Sequence, residues 1–260
     1  MKSFVKTLML GAVGALLASQ SVQAAYVAND LILGFNQGGG TGPNDYIVDL
    51  GNANSAVGVG GSQQVTLGAF NGATFNSLYG GFSGGVTMGA AGGQGATSGR
   101  DLYMTVLRTA NIGSQFAGVA GSTAPTPVAS TPMGNGVNQI ATMVNGLGLS
   151  AGGSATVAQS DPNSWFNNVL DPLNANTFVS KTGRNPNAGD TSGSILYEDL
   201  YRGTPGAAFT YLGYFAVDSS GLVFTPSAFV PVPEPGTYRL IAGSGLLLLT
   251  LRRQIKGQLA

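Results

Sequence analysis

Three short stretches hold the residue types from which catalysis or ligation is usually built. The first is "YEDLY" at 197–201, whose Glu198 and Asp199 are the only adjacent acids in the chain. A glycosidase sets two carboxyl groups about 5–10 Å apart across its substrate, but neighbours on a strand point to opposite faces. Glu198 would therefore need a partner such as Asp161 or Asp218 brought to it by folding. The second is "GFSGG" at 81–85, a literal Gly-x-Ser-x-Gly with Ser83 in the nucleophile's place. That elbow needs a strand before it, a helix after it and a histidine base. Glycines follow instead, and there is no histidine in the chain. The third is "GGGTGPNDY" at 38–46, which invites comparison with a calcium-binding glycine-aspartate repeat. It occurs once, with Pro43 and Asn44 out of pattern, so a loop between strands is the better reading. Asp45 and Asp49 could still contribute to a weak calcium site, since oxygen-only ligation suits a chain without His or Cys.

What the chain lacks narrows its chemistry further. Without histidine or cysteine there is no imidazole base, no thiolate nucleophile, no disulfide and no soft metal ligand. No glycine-lysine pair exists to form a phosphate loop. The expectation is a protein with no catalytic residues, no metal and no cofactor.

The elements that must position any site read as strands. In "NDLILGF", Leu31, Leu33 and Phe35 alternate against Asp30, Ile32 and Gly34, the pattern of a half-buried strand. Tyr46, Val48 and Leu50 repeat it. "DLYMTVLR" at 101–108 is richer in sheet formers. "FTYLGYFAVDSSGLVFTPS" reads as a hairpin around a four-residue turn, Asp218–Gly221. Weaker strands are expected at Val65–Phe70, Gly85–Met88 and Ser194–Tyr197. Residues 117–160, dominated by Pro, Thr, Ser, Gly and Ala, read as a mobile insertion. Within it Val137, Ile140, Ala141, Val144 and Leu147 fall at helical spacing. Next, Asp161 and Pro162 open a second short helix with Trp165, Phe166, Val169 and Leu170 as its apolar face. Trp165, beside Phe166 at helical spacing, is placed in the core rather than on a sugar-stacking platform.

With 42 glycines in 260 residues, more than double the usual share of about 7%, and 8% charged residues against about 25% in ordinary soluble domains, short strands joined by loops are favoured over salt-bridged helices. The absence of a repeated βαβ pattern points to a mainly β fold, an antiparallel, jelly-roll-like β-sandwich with one or two short helices in the insertion. One domain is expected from 25 to 228. Charge is unevenly placed: all eleven acids lie between Asp30 and Glu234, while Lys2, Lys6, Arg239, Arg252, Arg253 and Lys256 lie at the ends. Residues 25–235 thus carry five bases against eleven acids, a net charge of −6. Such a body repels phosphate backbones, and nucleic acid is not an expected partner.

The two ends concern address. Lys2 and Lys6 precede the apolar stretch Leu8–Ala18, and Val22-Gln23-Ala24 supplies small residues where signal peptidase reads. Residues 1–24 are expected to be a signal peptide cleaved after Ala24. At the other end Leu240–Leu251 is an apolar run of twelve residues. Counted from about 236 to 251 it makes a transmembrane-type helix, with the basic end at 252–256 held on the cytoplasmic side.

"VPEPGT" at 232–237, followed by a short apolar helix and Arg252-Arg253, resembles the PEP-CTERM sorting signal of exported Gram-negative proteins. The resemblance covers about the last thirty residues, 229–260, and Arg239 departs from it. It implies that an exosortase recognises and cleaves near Pro233, Glu234 and Pro235, whose prolines also keep the segment off the helical path. It implies a transient inner-membrane intermediate and a final place at the cell surface or outside the cell. The function expected on these grounds is that of a non-enzymatic surface or extracellular-matrix protein among exopolysaccharides, with signal peptidase and exosortase as processing partners. The alternative is a carbohydrate-active enzyme on a β-sandwich using a carboxylate pair.

Overall fold

A computed structural model describes residues 25–38, 42–55, 58, 61–81, 85–95, 99–188, 195–218 and 220–229. Ser83, the signal segment with Val22 and Ala24, and the sorting residues Pro233, Glu234, Pro235, Arg252 and Arg253 lie outside them. No helix among the described residues is long and apolar enough to cross a membrane.

The protein is mainly β and antiparallel. Its strands are β1 (Asp30–Gln37), β2 (Asn44–Asn52), β3 (Val65–Thr66), β4 (Val86–Gln94), β5 (Asp101–Leu107), β6 (Ser154–Ala158), β7 (Asn187–Ala188), β8 (Leu196–Gly203), β9 (Thr210–Asp218) and β10 (Gly221–Pro226). All belong to one hydrogen-bonded sheet, in the order β3-β10-β9-β8-β5-β4-β1-β2-β6, with β7 paired to β4. The expected two-sheet sandwich is therefore replaced by a single sheet that curls. Its curl follows from the alternation of side chains: one face of β1, β2, β4, β8, β9 and β10 feeds a common apolar cluster.

That cluster is dominated by aromatic rings. Phe35, Tyr46, Phe70, Phe75 and Tyr79 stand with centroids 5.1–6.1 Å apart. Such pairs add about 0.5–1.5 kcal/mol each beyond burial. Phe75 and Tyr79 come from helix α1 (Gly72–Tyr79), which the strand patterns do not announce. Asn71 starts it by accepting from the Thr74 amide at 3.0 Å, and Gly80 ends it in the left-handed region at φ 67°. The strand expected over Val65–Phe70 shrinks to β3, because the chain turns at Leu67–Phe70 to deliver both side chains inward.

The other face of the sheet is covered as well. Helices α2 (Ser130–Leu147) and α3 (Phe178–Thr182) and a π-helical turn at Phe166–Leu170 pack there. Ile32, Ile47, Leu102 and Met104 meet Met133, Val137, Ile140, Met143 and Val144 of α2. This corrects one expectation. β1 is buried on both faces rather than one. Residues 117–160 contain α2, on which Val137, Ile140 and Val144 face the sheet as their spacing implies, and β6, which extends the sheet's edge. Pro132 is tolerated because it stands in the first turn, where its missing N–H costs nothing.

One smaller correction concerns local geometry. Asp161 does not cap a helix; it accepts from the Asn163 amide in a turn, and the helix that follows is π rather than α. The β9–β10 hairpin pairs Asp218 with Gly221, the first and last residues of the expected four-residue turn. The Asp218 carboxylate accepts from the Ser220 amide and hydroxyl and from the Gly221 amide.

Candidate functional site

A groove of about 350 Å³ opens where the end of β1, the start of β4 and the strand β7 meet the π-helical turn. Asn36, Thr87, Asn185 and Asn187 supply its polar lining, and Phe166, Leu170 and Pro172 its apolar wall. Among the described residues that line it, none is charged.

The groove is fixed by two buried anchors. Trp165 is fully buried, and its indole packs on β1 at Gly34, where a Cβ would lie 2.0 Å from the ring. Only glycine allows that approach. The Trp165 Nε1–H donates to Asn187 Oδ1 at 3.1 Å, and Asn187 Nδ2 donates to Thr87 Oγ1 at 2.5 Å. Thr87 in turn donates to the Asn36 carbonyl. One continuous chain of hydrogen bonds thus runs under the polar wall.

The second anchor is Asp45, whose carboxyl is fully buried beneath the groove. One oxygen accepts from Asn36 Nδ2 at 2.7 Å, and the other from the Phe166 amide at 2.6 Å. A single carboxyl therefore ties the polar wall to the aromatic one. Burial pushes its pKa up to about 6, an effect opposed by the hydrogen bonds from Phe166 and Asn36.

The other acids singled out from the sequence are engaged elsewhere. Asp49 accepts from the Gly51 amide, and burial with the neighbouring Asp30 charge raises it to about 6. Four residues along one strand separate Asp45 from Asp49 by roughly 13 Å, too far to share an ion. Among the described residues no three acidic side chains converge as a metal site would need. Glu198 and Asp199 do take opposite faces of β8. Glu198 is fully buried on the side of the aromatic cluster, away from the residues that line this groove.

Asp199 forms a buried ion pair with Arg108 at 2.5 Å and also accepts from the Gly121 amide and Ser122 hydroxyl. Arg108 also donates to the Tyr211 hydroxyl at 3.0 Å and to the carbonyls of Asn111, Phe116 and Val119, and its guanidinium lies 4.3 Å from the Tyr214 ring centroid. The pair is thus a clamp on the loop from Thr109 to Gly121. A second, smaller cavity of about 220 Å³ lies over Arg202, Thr204, Ala208, Thr210 and Leu212. Arg202 is paired there with Asp101 at 2.6 Å.

Folding also changes how the charge is displayed. Asp30, Asp45, Asp49, Asp101, Glu198 and Asp199 are all buried, so the exterior is far less acidic than composition suggests. The groove residues themselves were hidden in the sequence. Asn36, Thr87 and Asn187 are 51 and 100 residues apart along the chain and meet only through β-pairing. Phe166 was visible, but as half of a core pair with Trp165.

Comparison of the chain with protein-family models, with curated proteins and with solved structures returns no match.

Proposed function

We propose that the chain is a non-enzymatic exported protein of the cell surface or extracellular matrix, and that its body binds neutral glycans in the groove. The observation that carries this reading is the lining: amides and a hydroxyl beside a half-buried phenyl ring, with no charged side chain among its described residues. Sugars offer hydroxyls to amides and an apolar C–H face to a ring, so this pairing of chemistries suits them. The volume is at the lower end of the ~300–1,000 Å³ usual for ligand sites, room for about one or two sugar rings. A carboxylate-pair hydrolase would need two acids across the substrate, and the described residues of the groove lining include none.

The address is the part the sequence supports. On this reading the signal peptide ends at Ala24, the transmembrane-type helix at about 236–251 holds the chain, and an exosortase cleaves near Pro233-Glu234-Pro235. The intact mass of the protein from envelope and culture fluid tests it: termini near Ala25 and Pro235 support sorting, and retention of Arg252 and Arg253 in both fractions overturns it. Binding is tested by retention of the secreted protein on exopolysaccharide of the producing bacterium, separated into neutral and uronate-rich fractions. Retention on the neutral fraction is expected, and no retention on either overturns the glycan reading.

A further inference from the structure

The loop from Thr109 to Gly121 has an unusual combination of properties. Ile112, Phe116 and Val119 expose 48%, 40% and 54% of their surface, three of the six large apolar residues so exposed among those described. Clustered exposed apolar side chains, unlike single ones, mark sites of protein or membrane interaction. The loop is also held rigid from beneath. Arg108 binds the Asn111, Phe116 and Val119 carbonyls, Tyr211 donates to the Ala117 carbonyl, and Asp199 accepts from the Gly121 amide. A buried ion pair thus presents apolar side chains to the outside, and little ordering remains to oppose their burial in a partner.

Two observations say what that partner is. The first is charge: no charged residue occurs between Arg108 and Asp161, and the Arg108 guanidinium itself is buried. The second is position. The loop abuts the last described turn, where a Cβ on Gly118 would come 3.3 Å from the Ser227 carbonyl. From Phe229 the chain leads on to the apolar run Leu240–Leu251. The ten residues 230–239 span at most about 35 Å when extended, so an inserted tail keeps this loop within reach of the bilayer at high effective concentration.

We infer that the loop Thr109–Gly121 is a membrane-resting face, with Ile112, Phe116 and Val119 seated at the boundary between phospholipid headgroups and acyl chains while the tail is inserted. The inference rests on the proposed reading of the tail. Side chains of this kind partition into the interface, and an uncharged loop suffers no repulsion from anionic lipid.

The absence of native cysteine makes a clean test. Val119→Cys, and Val27→Cys as a control exposed at 60% but outside the loop, are labelled with a polarity-sensitive fluorophore. Each is made in the chain from Ala25 to Ala260 and reconstituted into phosphatidylcholine–phosphatidylglycerol vesicles. Flotation of the chain with the vesicles reports tail insertion separately from the label. The expected result is flotation, with a blue-shifted label at 119 quenched by spin-labelled lipid and a water-like label at 27. Flotation with two water-like labels overturns this inference alone. A blue shift at 119 that persists without lipid identifies contact between copies of the chain and also overturns it. Failure to float overturns the tail reading and this inference together.

Discussion

The Trp165 indole lies against the backbone of Gly34, close enough that a Cβ at position 34 would stand 2.0–2.4 Å from three ring atoms. Gly34 is in the middle of β1, paired with β2 on one side and β4 on the other, so the backbone has nowhere to retreat. Gly34→Ala is expected to destabilise the fold by roughly 3 kcal/mol, the upper end for overpacking a well-filled interior. Urea unfolding followed through this single tryptophan measures it, and an unchanged midpoint would mean that the ring moves aside freely.

Arg108 and Asp199 form a clamp whose halves are costly to separate. Replacing either alone leaves a buried charge and frees the loop carbonyls, a loss of about 3–5 kcal/mol. Arg108→Met combined with Asp199→Leu is expected to cost less than the sum of the single changes. Chemical denaturation gives the energies, and amide exchange should accelerate across residues 109–121 in each single variant.

Acid should strengthen this fold over a defined range. Asp45 and Asp49, both raised to about 6 by burial, hold protons in the folded chain that the unfolded chain releases near pH 4. Their contribution is full below that ordinary carboxylate range and is lost as pH rises through about 6. The melting temperature should therefore rise by roughly 2–8 °C between pH 7 and pH 5. Asp45→Asn and Asp49→Asn together should flatten that slope, which differential scanning calorimetry across the range would detect.

Removal of the aromatic wall should affect binding far more than folding. Phe166 is only half-buried, and its backbone amide, not its ring, is what Asp45 holds. Phe166→Ala is expected to weaken glycan binding about tenfold, equivalent to about 1.4 kcal/mol, with little change in melting temperature. Asn187→Ala should lower both, because its side chain links Trp165 to Thr87. Titration calorimetry with neutral oligosaccharides from the exopolysaccharide distinguishes the two.

Strand alternation was the most legible part of the fold. The Leu31, Leu33, Phe35 set and the Tyr46, Val48, Leu50 set do share one face and one cluster. The burial of Ile32 and Ile47 on the reverse face was not legible, because its cover comes from α2, about a hundred residues later. The start of α2 was obscured by Pro132, Gly134 and Gly136, which read as breakers; Gly134 and Gly136 are buried on its packed side. α1 did leave a signal, Asn71 as cap, Gly80 as stop and Phe75 and Tyr79 four residues apart, overshadowed by the strand-like run before it. The groove was the least legible, since three of its polar residues are brought together by the register of β4 with β1 and β7 alone.

The pairing of β3 with β10 sets an order of events during synthesis. Thr66 meets Val223, 157 residues later, and the Leu67 amide is satisfied by the Leu222 carbonyl at 2.9 Å. Until that final strand has been made, Leu67 and Phe70 lack the lid formed by Leu222 and Phe224, and the curl stays open. Closure of so distant a contact is slow and comes last. A nascent chain of this sequence thus stays open along this seam until β10 has been made.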